Sequence, residues 1–275
     1  MRRLFISAAL VLLAALSCSK SEQRSYYSDP DAVHFSAGVS SDTKTSPIGS
    51  EAEQTKFNIG DKIAISDGGA FFTYVLGTEG WAPENPAKFI RWTSASTTFK
   101  AYYPVRDGVS FSSASLPADQ STYNAIASAD WMTATNTLSK PQSGFNVDLQ
   151  FQRKTARVKV TIDKYLDEFD GKNPTIQSLS VCGTKTIALN AAEAMSYYAL
   201  LLPRSAEAGS EFLKLTVKSA RGATGLVVRG IPALEEGKTY SYSLTVGKNT
   251  VKVANVMVSD WGSGSSLPDN SEAIN

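Results

Sequence analysis

Cys18 is the residue whose type and position carry the clearest chemistry in this chain. Arg2 and Arg3 open it with positive charge, Leu4 to Leu16 is an almost unbroken apolar run, and Ala15-Leu16-Ser17-Cys18 closes that run on a small residue and a thiol. This order is that of a secretory signal peptide whose cleavage site ends on a cysteine. Cleavage there makes Cys18 the new N-terminus, with a thiol to acylate. The run is too short to span a bilayer, which takes about 20 residues, so lipid rather than a helix is expected to hold the mature chain.

The segment resembles the bacterial lipobox, with Ala15 where that motif usually carries Leu. A lipoprotein of that kind bears more than one acyl chain. One chain alone binds a membrane marginally, at roughly 0.8 kcal/mol per buried CH₂, whereas two or more persist. Ser19 stands where an inner-membrane retention signal would place Asp, and Ser19-Lys20-Ser21-Glu22-Gln23 loosely resembles polar, acidic surface-export tags. The expected location is the outer membrane, facing outward.

The rest of the chemical inventory is thin. His34 is the one histidine, so a histidine general base is not expected and a His-rich zinc site is excluded. The sequence contains no phosphate-binding loop, nucleophile elbow or paired-cysteine motif. Asp67-Gly68-Gly69 marks a turn without calcium-loop spacing. Beyond Cys18 only Cys182 remains, so no intramolecular disulfide is expected in the mature chain, and Cys182 reads as a small buried hydrophobe in a strand-like stretch. The net charge of +1 offers no surface for nucleic acid or a polybasic membrane patch. We therefore expect no catalytic, cofactor-binding or metal-ligating residues, and a protein that is not an enzyme.

The elements around these residues are strands. From 18 to 31 the chain is polar and reads as a flexible tether. Short β-patterned segments follow, separated by Gly, Pro, Asn, Asp and Ser: Ile63 with Ile65, residues 71–76, and residues 99–103, stopped by Pro104. The clearest pattern spans 147–162, where Val147, Leu149 and Phe151 hold odd positions and Ala156, Val158, Val160 and Ile162 even ones. The parity change across 152–155 requires a bulge or bend. Further strands are expected at 213–217, 226–228 and 240–246, the last joined to 251–253 through Gly247-Lys248-Asn249. Helical periodicity is confined to 123–127 and 191–195. This is an all-β chain of β-sandwiches, divided in the Pro/Gly/Ser stretch 138–144: signal peptide 1–17, tether 18–31, one sandwich over 32–143, a second over 144–262, and a polar tail 263–275.

Taken in order, several segments resemble the fimbrillin family of Bacteroidetes, the Mfa-like, lipoprotein-derived pilus subunits. They are Val33-His34-Phe35, residues 57–65 from Phe57 through Gly60-Asp61 to Ile65, Tyr102-Tyr103-Pro104, Asp130-Trp131-Met132-Thr133-Ala134, the 149–162 stretch with Arg153 at its basic position, Leu200-Leu201-Leu202-Pro203, Gly237-Lys238-Thr239-Tyr240 and Asp260-Trp261-Gly262. The resemblance implies tandem transthyretin-like sandwiches and a pilus built by strand exchange. A protease removes the precursor's first strand, and a strand of a neighbouring subunit replaces it by β-strand addition. Here that strand is 33–39, and Lys44 stands where the family usually has Arg at the cleavage site. The 262–275 tail lacks alternating apolar residues and is a poor donor, which suits a tip or accessory subunit. Alternatively, 251–258 swings out as donor. Partners implied are other pilus subunits, the outer membrane through Cys18, and a host or bacterial surface ligand.

The aromatic residues allow a second reading, a surface glycan-binding lipoprotein of a polysaccharide-uptake system. Trp81, Trp92 and Trp131 are its candidates, with Trp81 and Trp92 the test positions, although core packing is the expected role of each. Trp261 is expected in the core. Arg153 and Arg157, beside alternating apolar residues, read as a solvated strand face.

Overall fold

The computed structural model describes residues 25–39, 56–141, 146–169, 174–190 and 195–261. In chain order the elements are β1 (His34–Val39), β2 (Lys62–Ser66), β3 (Phe72–Gly77), β4 (Gly80–Pro83), β5 (Ser96–Tyr103), α1 (Tyr123–Ser128), β6 (Met132–Ser139), β7 (Asn146–Arg153), β8 (Ala156–Tyr165), β9 (Thr175–Val181), β10 (Thr184–Lys185), β11 (Ile187–Asn190), β12 (Met195–Leu201), β13 (Glu207–Ser219), β14 (Gly222–Ile231), β15 (Lys238–Val246) and β16 (Val251–Asp260). The all-β expectation holds, with one short helix among the described residues, capped by Thr122, whose hydroxyl accepts from the Ala125 N–H.

The first sheet is seven-stranded, in the order β1-β7-β6-β5-β2-β3-β4. All its neighbours are antiparallel except β1 and β7, which run parallel from His34↔Asn146 to Val39↔Phe151. It curls until β4 lies beside β1, so its inner face closes over one core: Val33, Phe35, Ile63, Ile65, Tyr74, Phe99, Leu149 and Phe151 are buried there. Alternation within each strand puts these side chains inward.

The second half is a two-layer sandwich of a four-stranded sheet, β10-β9-β13-β14, and a five-stranded sheet, β11-β12-β8-β15-β16. Leu179, Val181, Leu213 and Leu215 from one layer meet Val158, Val160, Tyr240, Tyr242 and Leu244 from the other. The hairpin expected at 247–249 joins β15 to β16, with Val246 opposite Val251.

Three expectations are corrected. The boundary at 138–144 falls inside one sheet, because β7 pairs with β6 and β1; the chain changes sheet at Lys154-Thr155, where the parity break lies. Residues 26–31, expected in the tether, are folded: Tyr26 is buried in the first core, and Val33 N–H bonds the Ile90 carbonyl while Trp92 N–H bonds that of Asp31. Cys182 sits after β9 in a left-handed turn (φ 49°), half-buried rather than within a strand, and burial pushes its thiol up. The helix expected at 123–127 is α1. That at 191–195 lies outside the described residues save Met195, which opens β12.

Candidate functional site

β1 is an edge strand with one ladder. Val33, Phe35 and Val39 point into the core with half-buried Ala37 beside them, while His34 faces out and Ser36 Oγ donates to Asp148 Oδ1 at 3.0 Å. Phe35 meets Tyr74 and Phe99 edge to face, with ring centroids 5.0 and 5.6 Å apart. On its other side β1 lies near β4 without a ladder among the described residues. No described residue of β4 forms a ladder with its backbone there, the geometry at which a strand can be added or exchanged.

The stretch before β1 is a second plug in the same groove. Tyr26 packs among Tyr74 and Phe89; its hydroxyl lies 2.8 Å from His34 Nδ1, and its N–H donates to Pro86 O. Burial pushes this phenol up to about 12. Asp29 accepts from Arg91 Nε at 2.8 Å. Withdrawing β1 therefore withdraws Tyr26 too, and uncovers the edge of β7 together with the aromatic floor.

Three segments far apart in sequence converge where the two halves meet. Arg153 continues the inward parity of β7 and is 1 % exposed. Its Nε and Nη2 donate to the two carboxylate oxygens of Asp130, at 2.7 and 2.8 Å. The guanidinium lies 4.3 Å from the ring centroid of Trp261, and that of Arg157 lies 4.8 Å from it. Trp261 is fully buried with Ile126, Ala129, Ile187 and Leu200. Its N–H donates to Gly237 O, and Gly237 N–H donates to Thr155 O, a link that uses the positive φ of Gly237. Burial pushes the Asp130 carboxyl up against the pull of Arg153, and it lowers Arg157 to about 10. Gln120 adds a further tie, its side-chain amide bonding both the N–H and the carbonyl of Leu200.

Of the residues singled out from sequence, Cys18 and Lys44 lie outside the described residues. Trp81 and Trp92 are 7 % and 9 % exposed and belong to the first core, Trp81 against Phe57 and Trp92 against Phe99. Both are buried, the core role expected of each, and Trp92 also lines a cavity of about 300 Å³ with Leu138, Pro141 and Val147. Trp131 is half-buried, with Nε1 bonded to Ser110 O. Arg153 and Arg157 are not a solvated face: one is in the ion pair, and the other is half-buried with Nε on Thr239 Oγ1. Sequence reasoning missed Tyr26, concealed in a polar stretch, and missed the Asp130–Arg153 pair, although the parity of 147, 149 and 151 already pointed residue 153 inward.

Residues 52–189 match a family model described as fimbrillin-like. Among solved structures, a candidate cell adhesion protein from Bacteroides ovatus superposes with a TM-score of 0.55 at 14 % identity, covering 85 % of this chain and 98 % of its own. Another from Bacteroides uniformis gives 0.50 at 20 %, covering 84 % and 98 %. A fimbrial protein from Bacteroides ovatus gives 0.46 at 17 %, covering 81 % of this chain and 51 % of its own. No curated protein is significantly similar to the chain. At these identities the first two likenesses establish a shared fold.

Proposed function

The chain belongs to the fimbrillin-like family, and from that premise we propose that it is a non-enzymatic cell-surface lipoprotein, a pilus subunit or fimbria-associated adhesion component assembled by strand exchange. The observation that carries this reading is β1. It is a parallel edge strand whose Phe35 and Val39 fill the first core while a single ladder holds its backbone. It also lies between the acylation site at Cys18 and the basic residue Lys44. Lipid on Cys18 tethers the precursor to the outer membrane, and cleavage after Lys44 frees the segment that carries Tyr26 and β1. The vacated groove offers unpaired N–H and C=O groups along β7 and apolar sockets at alternate positions, which an extended strand of another subunit satisfies in the same way.

The two cores are then two sandwich domains in tandem, meeting at Lys154-Thr155. The Asp130–Arg153–Trp261 junction keeps them in a fixed relation while the first strand is exchanged.

Mass spectrometry of the protein isolated from native cells tests this directly. The expected result is a form with acylated Cys18 and a shorter form beginning at Thr45, the shorter one running as SDS-resistant oligomers. A single, unlipidated species that retains its leader, or a Thr45 form that stays monomeric, overturns it.

A further inference from the structure

We propose that the outer face of the seven-stranded sheet, around Phe71, Tyr102, Phe111 and Lys100, binds a sugar that bears a carboxylate. The face is built by β5 and β6, where Thr98 pairs across with Thr137 and Lys100 with Thr135, all four side chains exposed. They form a hydroxyl-bearing surface with one ammonium in it.

Aromatic rings stand at one end of that surface. Phe71, just before β3, is 40 % exposed. It meets Tyr102 edge to face at 5.2 Å and lies nearly parallel to Phe111, 25° between planes and 6.5 Å between centroids. Phe111 arrives on the loop after β5, and that loop is held in place. Arg106 donates to the carbonyls of Asp107, Ser115 and Ser128, and Trp131 Nε1 donates to that of Ser110. The rings are therefore positioned before any ligand arrives, which spares the ordering cost of binding.

Two features select the ligand. Phe71, exposed where Tyr102 and Phe111 are half-buried, can stack on the C–H face of a pyranose, and the hydroxyls of Thr135 and Ser112 can exchange hydrogen bonds with its hydroxyls, while that of Thr98 is bonded to Thr137 Oγ1 at 2.8 Å. Lys100 selects among sugars. Its Nζ lies 5.4 Å from the Phe111 centroid, and it makes no ion pair among the described residues. The acid beside it in the ladder is Asp67, which follows Ser66, the partner of Lys100 across β2 and β5; Asp67 Oδ1 accepts from Gly69 N–H at 3.4 Å, within its own turn. An ammonium with no carboxylate partner among the described residues, beside a stacking platform, fits an acidic sugar, a uronic or sialic acid, through a charge-assisted hydrogen bond. The face excludes β1 and its groove, so this site stands or falls apart from strand exchange.

Titration calorimetry on the mature full-length chain tests it with three probes: trigalacturonate, sialyllactose and neutral lactose. Saturable binding to at least one acidic probe and none to lactose is expected, and which acid binds separates a polyuronide from a terminal sialic acid. Phe71→Ala and Lys100→Met should each weaken that binding roughly tenfold or more, while Lys100→Arg retains it. Both positions are exposed, so melting curves should match the parent. The proposal is overturned by no binding to either acid, by lactose binding as tightly, or by either substitution leaving the affinity unchanged.

Discussion

Arg153 grips both carboxylate oxygens of Asp130 while its guanidinium lies over the ring of Trp261, so one side chain joins the end of β7, the turn between α1 and β6, and the residue that follows β16. Both charged side chains are wholly withdrawn from water. Removing one partner of such a pair strands the other charge in a medium that cannot solvate it, at about 3–5 kcal/mol. Asp130→Asn should therefore lower the urea unfolding free energy by roughly that amount. The double replacement Asp130→Leu with Arg153→Met should recover most of it, since it leaves no buried charge. A double variant as unstable as the single one would show that the cost comes from shape rather than charge.

Trp261 makes the complementary test. It is buried in full and covers two guanidinium groups. Trp261→Ala should cost about 3–5 kcal/mol through lost packing. Trp261→Phe keeps a ring face over Arg153 and should cost distinctly less. Equal losses in chemical denaturation would count against any contribution from the aromatic face.

Much of this architecture was legible in the residues, and the misses have physical causes. The alternation of Val147, Leu149 and Phe151 announced β7, and the parity break at 152–155 marked where the chain leaves one sheet for another. What local pattern does not encode is the partner. The parallel pairing of β1 with β7 joins segments more than a hundred residues apart, which is why the Pro/Gly/Ser stretch before β7 looks like a boundary in the sequence. Arg153 misleads in the sequence because its residue type suggests solvent while its position indicates the core. Only the distant Asp130 reconciles the two. Tyr26 lies among serines and aspartates, and nothing in that stretch announces a core residue.

Phe35 and His34 separate the two faces of β1. Phe35→Ala removes a buried ring that touches Tyr74 and Phe99 and should destabilise the precursor by about 3–5 kcal/mol. His34→Ala, on the solvent side, should stay within about 1 kcal/mol, the worth of its contact with the Tyr26 hydroxyl. Because Phe35 holds the strand in its groove, limited trypsin digestion should cut at Lys44 faster in Phe35→Ala than in the parent. Unchanged digestion would mean that access to Lys44 does not depend on how β1 is seated.

Stability should fall at high pH for a reason that can be assigned. Burial pushes the phenols of Tyr26 and Tyr197 up to about 12 and raises those of Tyr74, Tyr103 and Tyr242 as well. An exposed Tyr loses its proton near pH 10, so above about 10 the unfolded chain releases protons that the folded chain retains. The stabilisation is complete below about pH 10 and is lost as pH climbs toward about 12, on the order of a few kcal/mol in all. Urea midpoints should drop across that window, and the phenolate absorbance of the buried tyrosines should rise with unfolding rather than ahead of it. A full phenolate signal from folded protein near pH 10.5, about half a unit above the ordinary value, would contradict the assignment.

The donor question can be settled by fixing β16 in place. That strand pairs along its length with β15 and ends at Trp261, whose N–H holds Gly237 and whose ring covers Arg153. Swinging residues 251–258 outward would pull on the Trp261 anchor and expose an ion pair that has no access to water. The polar tail beyond it lacks the alternating apolar residues a donor needs. On the first count β16 should remain in its own sheet, and on the second residues 262–275 should not serve as a donor strand. Ser241 and Met257 face each other across the β15–β16 ladder, so cysteines at these two positions, with Cys182→Ser, can form a cross-link there. The oxidised protein, and separately a chain lacking residues 263–275, should both still enter native polymers at the parental level. Loss of incorporation on oxidation, restored by reduction, would identify β16 as the donor; loss on truncation would give that role to the tail and end the tip reading.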